Sequence, residues 1–331
     1  MHRRSLLAAP LTLSPWALAP LGLAAPALAQ GDYPNRPVRV VVPWPPGGST
    51  DVLARLLSEQ LSQRLGQNFV LENRPGAGGN IGMEAIAKSA PDGYTMGPAT
   101  IANLSIAQFL YSHLAFDPEK DFSVVSMHWE LPNVLVAPAQ FTPPNTMAEF
   151  IAWAKARPKG ITYGSPGIGT TAHLSGSLFC NRQGIDGEHV PFRGAAQIVP
   201  AMLSGDLTCA LDNLASYIPI IAEGRLKAYA VTSPARWPTL PDIPVMAEAG
   251  VPDFTLTSWC AWVMPAGVPR PIVDKLNAAM QAVAADPAVQ QRFLRTGAKC
   301  VWSTPEEAVR YAAAQRVFLR EVVRISGAKA D

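Results

Sequence analysis

The sequence predicts an α/β fold, on three observations. Short apolar runs alternate with longer stretches of helical periodicity, and glycine-rich loops join the first kind to the second. This order of strand, loop and helix appears in two stretches of chain, at roughly residues 34–133 and 134–253, followed by a helix-rich tail. The 331 residues suffice for one large or two ordinary domains, and 48% apolar residues suit a packed chain. The 32 prolines are scattered among apolar runs and read as punctuation of loops and elements. No internal sequence repeat relates the two stretches.

Val38 to Val42 is a β-branched run, the mark of a strand buried on both faces. It ends at Pro43-Trp44-Pro45-Pro46-Gly47-Gly48. Ser49, Thr50 and Asp51 are helix-start residues, and Leu53, Leu57 and Leu61 then recur at i, i+4, i+8 until Gly66 stops the helix. Phe69 to Glu72 is a second strand. Arg74 to Gly79 is a second glycine loop, leading to a helix that ends near Lys88, and Tyr94 to Gly97 is a third strand. In the second stretch, Met147 to Ala156 reads as a helix and Ile161 to Tyr163 as a strand. The loop Gly164 to Thr171 leads into a helix from Leu174 to Asn181. His189 to Phe192, Leu207 to Leu211 and Leu226 to Thr232 read as strands, separated by helices at Ala195 to Leu203 and Ala215 to Glu223. Pro269 to Ala284 and Pro305 to Ile325 are helices with proline near their starts.

Residues 1–29 read as a cleaved export signal. Arg3 and Arg4 precede a charge-free apolar run from Leu6 to Leu28, and Ala27-Leu28-Ala29 matches a small-x-small cleavage site. The expected mature protein is therefore soluble and periplasmic, and no other run approaches the ~20 apolar residues of a spanning helix. The net charge of +2 is carried by Arg3 and Arg4, which leaves 25 basic and 25 acidic residues beyond the signal. That balance gives no reason to expect a nucleic-acid partner. In an oxidising compartment Cys180 and Cys209, on adjacent elements, are expected to pair.

Two glycine loops run from a strand end into a helix start, a geometry that presents backbone N–H groups and a positive helix end to an anion. Gly47-Gly48 and Gly167-x-Gly169 allow close approach of the backbone, and Ser49, Ser165, Thr170 and Thr171 add hydroxyls. Each loop alone also fits an ordinary tight turn; two of them favour a ligand in a cleft between two units. His173 either lines that pocket or satisfies nearby backbone, and Trp44 is either core or a cover for an apolar part of the ligand. No two histidines stand at i+3 or i+4, and neither Gly-x-Ser-x-Gly nor a Walker A loop occurs, so no metal, cofactor or catalytic residue is expected. Gly167 to Ala172 does fit the Gly-x-Gly-x-x-Ala dinucleotide pattern, with Glu188 as the ribose acid. It carries a second reading as an exported nucleotide-dependent enzyme. Ser165-Pro166 lengthens what should be a tight turn, and Glu188 precedes its strand, which count against that reading.

Taken in order, the motifs resemble those of the Bug receptors, the TctC-like solute-binding proteins of tripartite tricarboxylate transporters. The resemblance rests on Tyr33-Pro34-x-Arg36-Pro37-Val38-Arg39, Val41 to Gly48 with Asp51, and Glu72 to Gly79 with Ile81-Gly82. Pro91 to Thr95, Tyr163 to Leu174, Ala230 to Thr232, Ala247 to Gly250 and Pro265 to Gly267 continue it along nearly all of the chain beyond the signal. It implies a periplasmic binding protein fold of type II-like class, two α/β domains with a ligand cleft between them. Their expected limits are residues 30–133 plus 254–331 and residues 134–253. It also implies a small organic carboxylate held by the segments Gly47 to Asp51 and Ser165 to Thr170, with Asp212-Asn213 and Arg193 at the cleft. Arg193 is equally readable as a solvated surface charge. The implied partners are that carboxylate and the membrane subunits of a transporter. The expected receptor is monomeric and closes by a hinge; a role in sensing without transport is the remaining alternative. Met96-Gly97-Pro98, Trp259-Cys260, Thr208 to Leu211 and Gln197 depart from the family pattern and leave the ligand's identity open.

Overall fold

In the computed structural model, which describes residues 33–330, β1 (Val38–Val42) is buried along both faces, as its valine run predicts. It lies between β2 (Phe69–Asn73) and β3 (Thr95–Thr100), parallel to both. The crossover helix α1 (Ser49–Leu65) buries Leu53, Leu57 and Leu61 completely. Each such leucine stabilises the fold by about 2 kcal/mol. Gly66 then ends the helix in the left-handed region at φ 71°. After the second glycine loop comes α2 (Asn80–Ala87). β3 runs three residues past its expected end. It does so because Gly97 has no side chain: a Cβ there would collide with the Val41 carbonyl and meet Ile86 at 2.7 Å. The unusual Met96-Gly97-Pro98 is thus a close strand crossing. Beyond Met96, β3 leaves β1 and pairs antiparallel with β9 (Thr257–Pro265).

The 17-residue strand β4 (Phe122–Pro138) escapes the sequence reading, and the expected limit between residues 133 and 134 falls inside it. His128, Glu130 and Pro132 break its apolar pattern, and two register shifts break its alternation. Pro132 is tolerated where β4 changes partners. Up to that point β4 pairs with β9 and, at Trp129 and Glu130, with β10 (Lys299–Cys300). From Asn133 onward it pairs with β7 (Cys209–Asn213) and β8 (Leu226–Val231). β5 (Ile161–Ser165) joins β7 to β6 (Gly187–Pro191), parallel to both. The strand order is β2-β1-β3-β9-β4-β7-β5-β6, so one strand threads both halves of a ten-stranded sheet.

Helices α3 (Met147–Ala156) and α5 (Ala195–Leu203) match their expected spans. α4 (Thr171–Gln183) starts three residues early because Thr170 caps it, its Oγ1 accepting the His173 N–H. The helix expected over Ala215 to Glu223 is split into a 3-10 turn and α6 (Ile218–Ala222), because Pro219 has no N–H to continue the ladder. α7 (Arg270–Ala284) is followed by α8 (Pro287–Arg295), capped by Asp286 and absent from the sequence reading. α9 (Pro305–Ser326) opens with a capping box of Thr304 and Glu307. It touches both halves: Ser105 Oγ donates to the Ala312 carbonyl at 3.1 Å and Ser177 Oγ to the Ser326 carbonyl at 2.8 Å.

The expected Cys180–Cys209 bond is not formed; both residues, with Cys260 and Cys300, are buried free thiols. Strand β5 explains the separation. Cys180 packs from α4 over Gly187 of β6, whereas Cys209 lies on β7, two strand spacings away. The export signal expected over residues 1–29 lies outside the described residues. Among the described residues no helix is long and apolar enough to cross a membrane.

Candidate ligand-binding site

The carboxyl ends of β1 and β3 from one half of the sheet, and of β5, β6 and β7 from the other, open onto a small inner cavity of about 50 Å³. That is room for a few waters or one small polar group. Three helices begin at its wall. Gly48, Ser49 and Thr50 bring α1, Thr170 and Thr171 bring α4, and Gly194 and Ala195 bring α5. Neither α1 nor α5 has a side-chain cap. The N–H groups of Ser49, Thr50, Thr171 and Ala195 have no acceptor among the described residues. These helix ends carry partial positive charge, and among the described residues no Lys, Arg or His lines the cavity. Its one ionisable lining group is Asp212.

Several residues singled out in the loops act on the loop itself. Asp51 is 3% exposed and turned away from the cavity. Its carboxylate accepts the Gly47 N–H at 3.0 Å, two Arg55 N–H groups at 3.0 Å and Asn73 Nδ2 at 2.8 Å. Burial alone would raise its pKa; the bonds from Arg55, Asn73 and Gly47 outweigh burial and hold it below the usual carboxylate range. Asn73 also donates to the Trp44 carbonyl at 2.9 Å, so the first loop is pinned to β2. In the second loop, Ser165 Oγ meets His189 Nε2 at 2.7 Å and the Gly167 carbonyl at 2.9 Å. Gly169 donates its N–H to His173 Nδ1 at 3.2 Å, and His173 stacks on His189 with ring centroids 3.8 Å apart. Burial lowers the pKa of His173 to about 4 and of His189 to about 3.

Of the sequence candidates, Trp44, Gly48, Ser49, Thr170, Asp212 and Asn213 therefore line the inner cavity. Gly167 and Arg193 line an outer groove of about 880 Å³ that shares Trp44 and Gly48 with it. Gly47, Asp51, Ser165, Gly169 and His173 line neither. The amides of Gly47 and Gly169 are already engaged within their loops. Sequence reasoning missed Thr100, Ala195, Ser216 and Ser258, which line the cavity from four different elements. No local motif marks them.

Three buried polar atoms on cavity-lining side chains lack a protein partner: Trp44 Nε1, Asn213 Oδ1 and Ser216 Oγ. Buried groups of this kind are costly unless something in the cavity bonds them. Asn213 Nδ2 donates to Ser49 Oγ at 3.2 Å, a hydrogen bond from one half of the sheet to the other. Asp212 is 1% exposed and accepts the Asn213 N–H at 2.7 Å and the Tyr217 hydroxyl at 2.9 Å. Burial, with no cation beside it, pushes its pKa up to about 6. Glu188 pairs with Thr162 near the start of β5, at the far end of that strand from Gly167, where it cannot serve as a ribose acid for that loop.

Residues 53–324 match the model of the tripartite tricarboxylate transporter family receptor. The chain belongs to this family. The receptor is 36% identical to Protein BugT of Bordetella pertussis, over 94% of this chain and 95% of that one. Among solved structures it resembles R. palustris Rpa4515 with adipate, with a TM-score of 0.87 and 34% identity over 90% of this chain and 99% of that chain. It also resembles the periplasmic binding protein BugD, with a TM-score of 0.84 and 34% identity over 90% and 99% of the two chains. The receptor's fold is the type II-like class of periplasmic solute-binding proteins. Its family and these neighbours are binding proteins.

Proposed function

We propose that the receptor captures a small organic carboxylate in the inner cavity and delivers it to the membrane subunits of a tripartite tricarboxylate transporter. The observation that carries this reading is the meeting of three helix N-termini at one small cavity, with no cation in its wall among the described residues. Such a wall suits a carboxylate head, which the free amides of Ser49, Thr50, Thr171 and Ala195 would bond. The rest of the ligand extends past Trp44 into the outer groove, towards Arg193. Family membership and the adipate bound in Rpa4515 support the ligand class and the transporter partnership. The two halves of the sheet act as two lobes, residues 33–133 with 254–331 and residues 134–253. They close by bending at β4 and β9, and the ligand favours the closed form by its differential affinity alone. The receptor works in the periplasm after export by residues 1–29, and as a monomer.

A thermal-shift screen against mono-, di- and tricarboxylates, adipate included, tests the reading, because a ligand of the folded state raises the midpoint. Gly48→Leu is the matching variant. Gly48 has φ −78°, open to any residue, and a Cβ there meets only the Pro45 carbonyl at 3.7 Å. The side chain would fill the cavity mouth. The expected result is loss of the ligand-induced shift with the unliganded midpoint retained; a normal shift in this variant sinks the site assignment.

A further inference from the structure

We infer that the receptor binds its carboxylate ligand together with one proton, taken up by Asp212. The inference rests on the carboxylate reading above and concerns a residue that the reading itself does not need. Asp212 stands in the wall of the inner cavity, with both oxygens occupied by neutral donors, Asn213 N–H and Tyr217 O–H. Among the described residues no charged group faces it. From α1, Asp51 and Arg55 turn to each other. His173 of α4 turns to Gly169 and His189. Tyr163 of β5 packs towards Gly176 and Gly187. α5 and the paired stretch Asn133–Val136 of β4 bring no ionisable side chain, and Arg193 lies in the outer groove.

A ligand carboxylate entering this cavity of about 50 Å³ displaces its few waters and places a second negative charge beside the first. Two carboxylates sharing such a site do not both stay ionised. The helix ends compensate one charge, and the ligand, which they contact directly, holds it. Asp212 is the group that protonates: an O–H bond forms on its carboxylate, and the proton leaves a buffer acid or hydronium ion in the solvent, whose own bond to it breaks. The empty receptor is already poised for this, since burial holds the Asp212 pKa at about 6. Protonated Asp212 can also donate its O–H to a ligand oxygen, which turns a repulsive neighbour into a binding one. Below about pH 6 affinity is therefore flat. Above it, affinity falls as pH rises, up to tenfold per pH unit, until the bound form also ionises.

The test is calorimetric titration with adipate, or with whichever acid of the panel gives the largest thermal shift, between pH 6 and 8.5. From pH 7 upward, where the slope is read, adipate's carboxylates are ionised and add no slope of their own. At pH 7.5 the heat should vary between buffers of different ionisation enthalpy, corresponding to uptake of nearly one proton. The dissociation constant should rise close to tenfold from pH 7 to pH 8. Asp212→Asn should bind with no pH dependence and more tightly than the natural receptor at pH 8. Tyr217→Phe, which removes a donor to the carboxylate, should move the onset of the slope to higher pH. A flat affinity, buffer-independent heat, or loss of binding in a folded Asp212→Asn protein overturns the inference; the last would mark the ionised carboxylate of Asp212 as required by the site. If no acid of the panel binds either protein at any pH, the carboxylate reading itself falls, and the proton uptake with it.

Discussion

Asp51 shows what a single residue's environment adds to its identity. It sits in the motif that runs from Trp44 into α1, and the sequence suggests a ligand contact. Its carboxylate instead holds the loop from behind, through Gly47, Arg55 and Asn73. Arg55 stands at i+4 on the same helix; Asn73, 22 residues away on the neighbouring strand, has no local mark, because register between strands is set by the whole sheet. Asp51→Ala leaves the Gly47 amide and the Asn73 side chain short of an acceptor. It should cost about 2–3 kcal/mol, read from the denaturant midpoint, because hydrogen bonds to a charged group are lost. Ligand binding should weaken as well, since Gly48 and Ser49 lose their support. Unchanged stability in this variant would remove the bracing role. Of the chosen glycines, Gly169 is the clearest reversal. Its positive φ of 81° is what the loop needs, but its amide serves His173, and a Cβ would meet Leu110 at 2.5 Å.

At the level of elements, what could be read were segments that satisfy a local rule. β1 has its valine run, α1 its leucine spacing and glycine stop, and α9 a proline near its start. β4 obeys no local rule. Its Pro132 and its shifts in register make sense only against β9, β10 and β7, which come later in the chain. The same non-local logic decides the cysteines. Helix α4 and strand β7 do pack together, but Cys180 lies over Gly187 of β6, with β5 between that strand and Cys209. Burial raises the thiol pKa of Cys180 and Cys300 to about 12 and pushes Cys209 and Cys260 well above the ordinary value. Thiolate is the reactive form, so the native protein should resist a thiol reagent at neutral pH and yield four equivalents once denatured. Two equivalents under denaturing, non-reducing conditions would restore the disulfide.

For the molecule as a whole, buried ionisable groups set a pH window of stability. His128, His173 and His189 are held neutral by burial, with pKa values of about 3, 4 and 3. Unfolded, each titrates near 6.5, so the unfolded chain binds the extra protons and stability falls as pH drops from about 6.5 to 4. Asp212 works in the opposite sense: its raised pKa makes the folded state the better proton binder between about pH 4 and 6. Three protons against one leave a net uptake of about two on unfolding near pH 5. The midpoint should therefore fall steeply below pH 6, and more steeply in Asp212→Asn; a midpoint flat from pH 7 to 5 would contradict the buried, neutral histidines.

The absence of a cation from the inner cavity wall has a consequence for where such a receptor can work. Mobile ions weaken attraction between exposed charges, but a cavity of about 50 Å³ leaves them little room once a ligand fills it, and the helix ends there are fixed parts of the backbone. Capture by these amides should hold nearly constant from dilute to saline surroundings, where a receptor relying on surface lysines would lose its ligand as the salt rose.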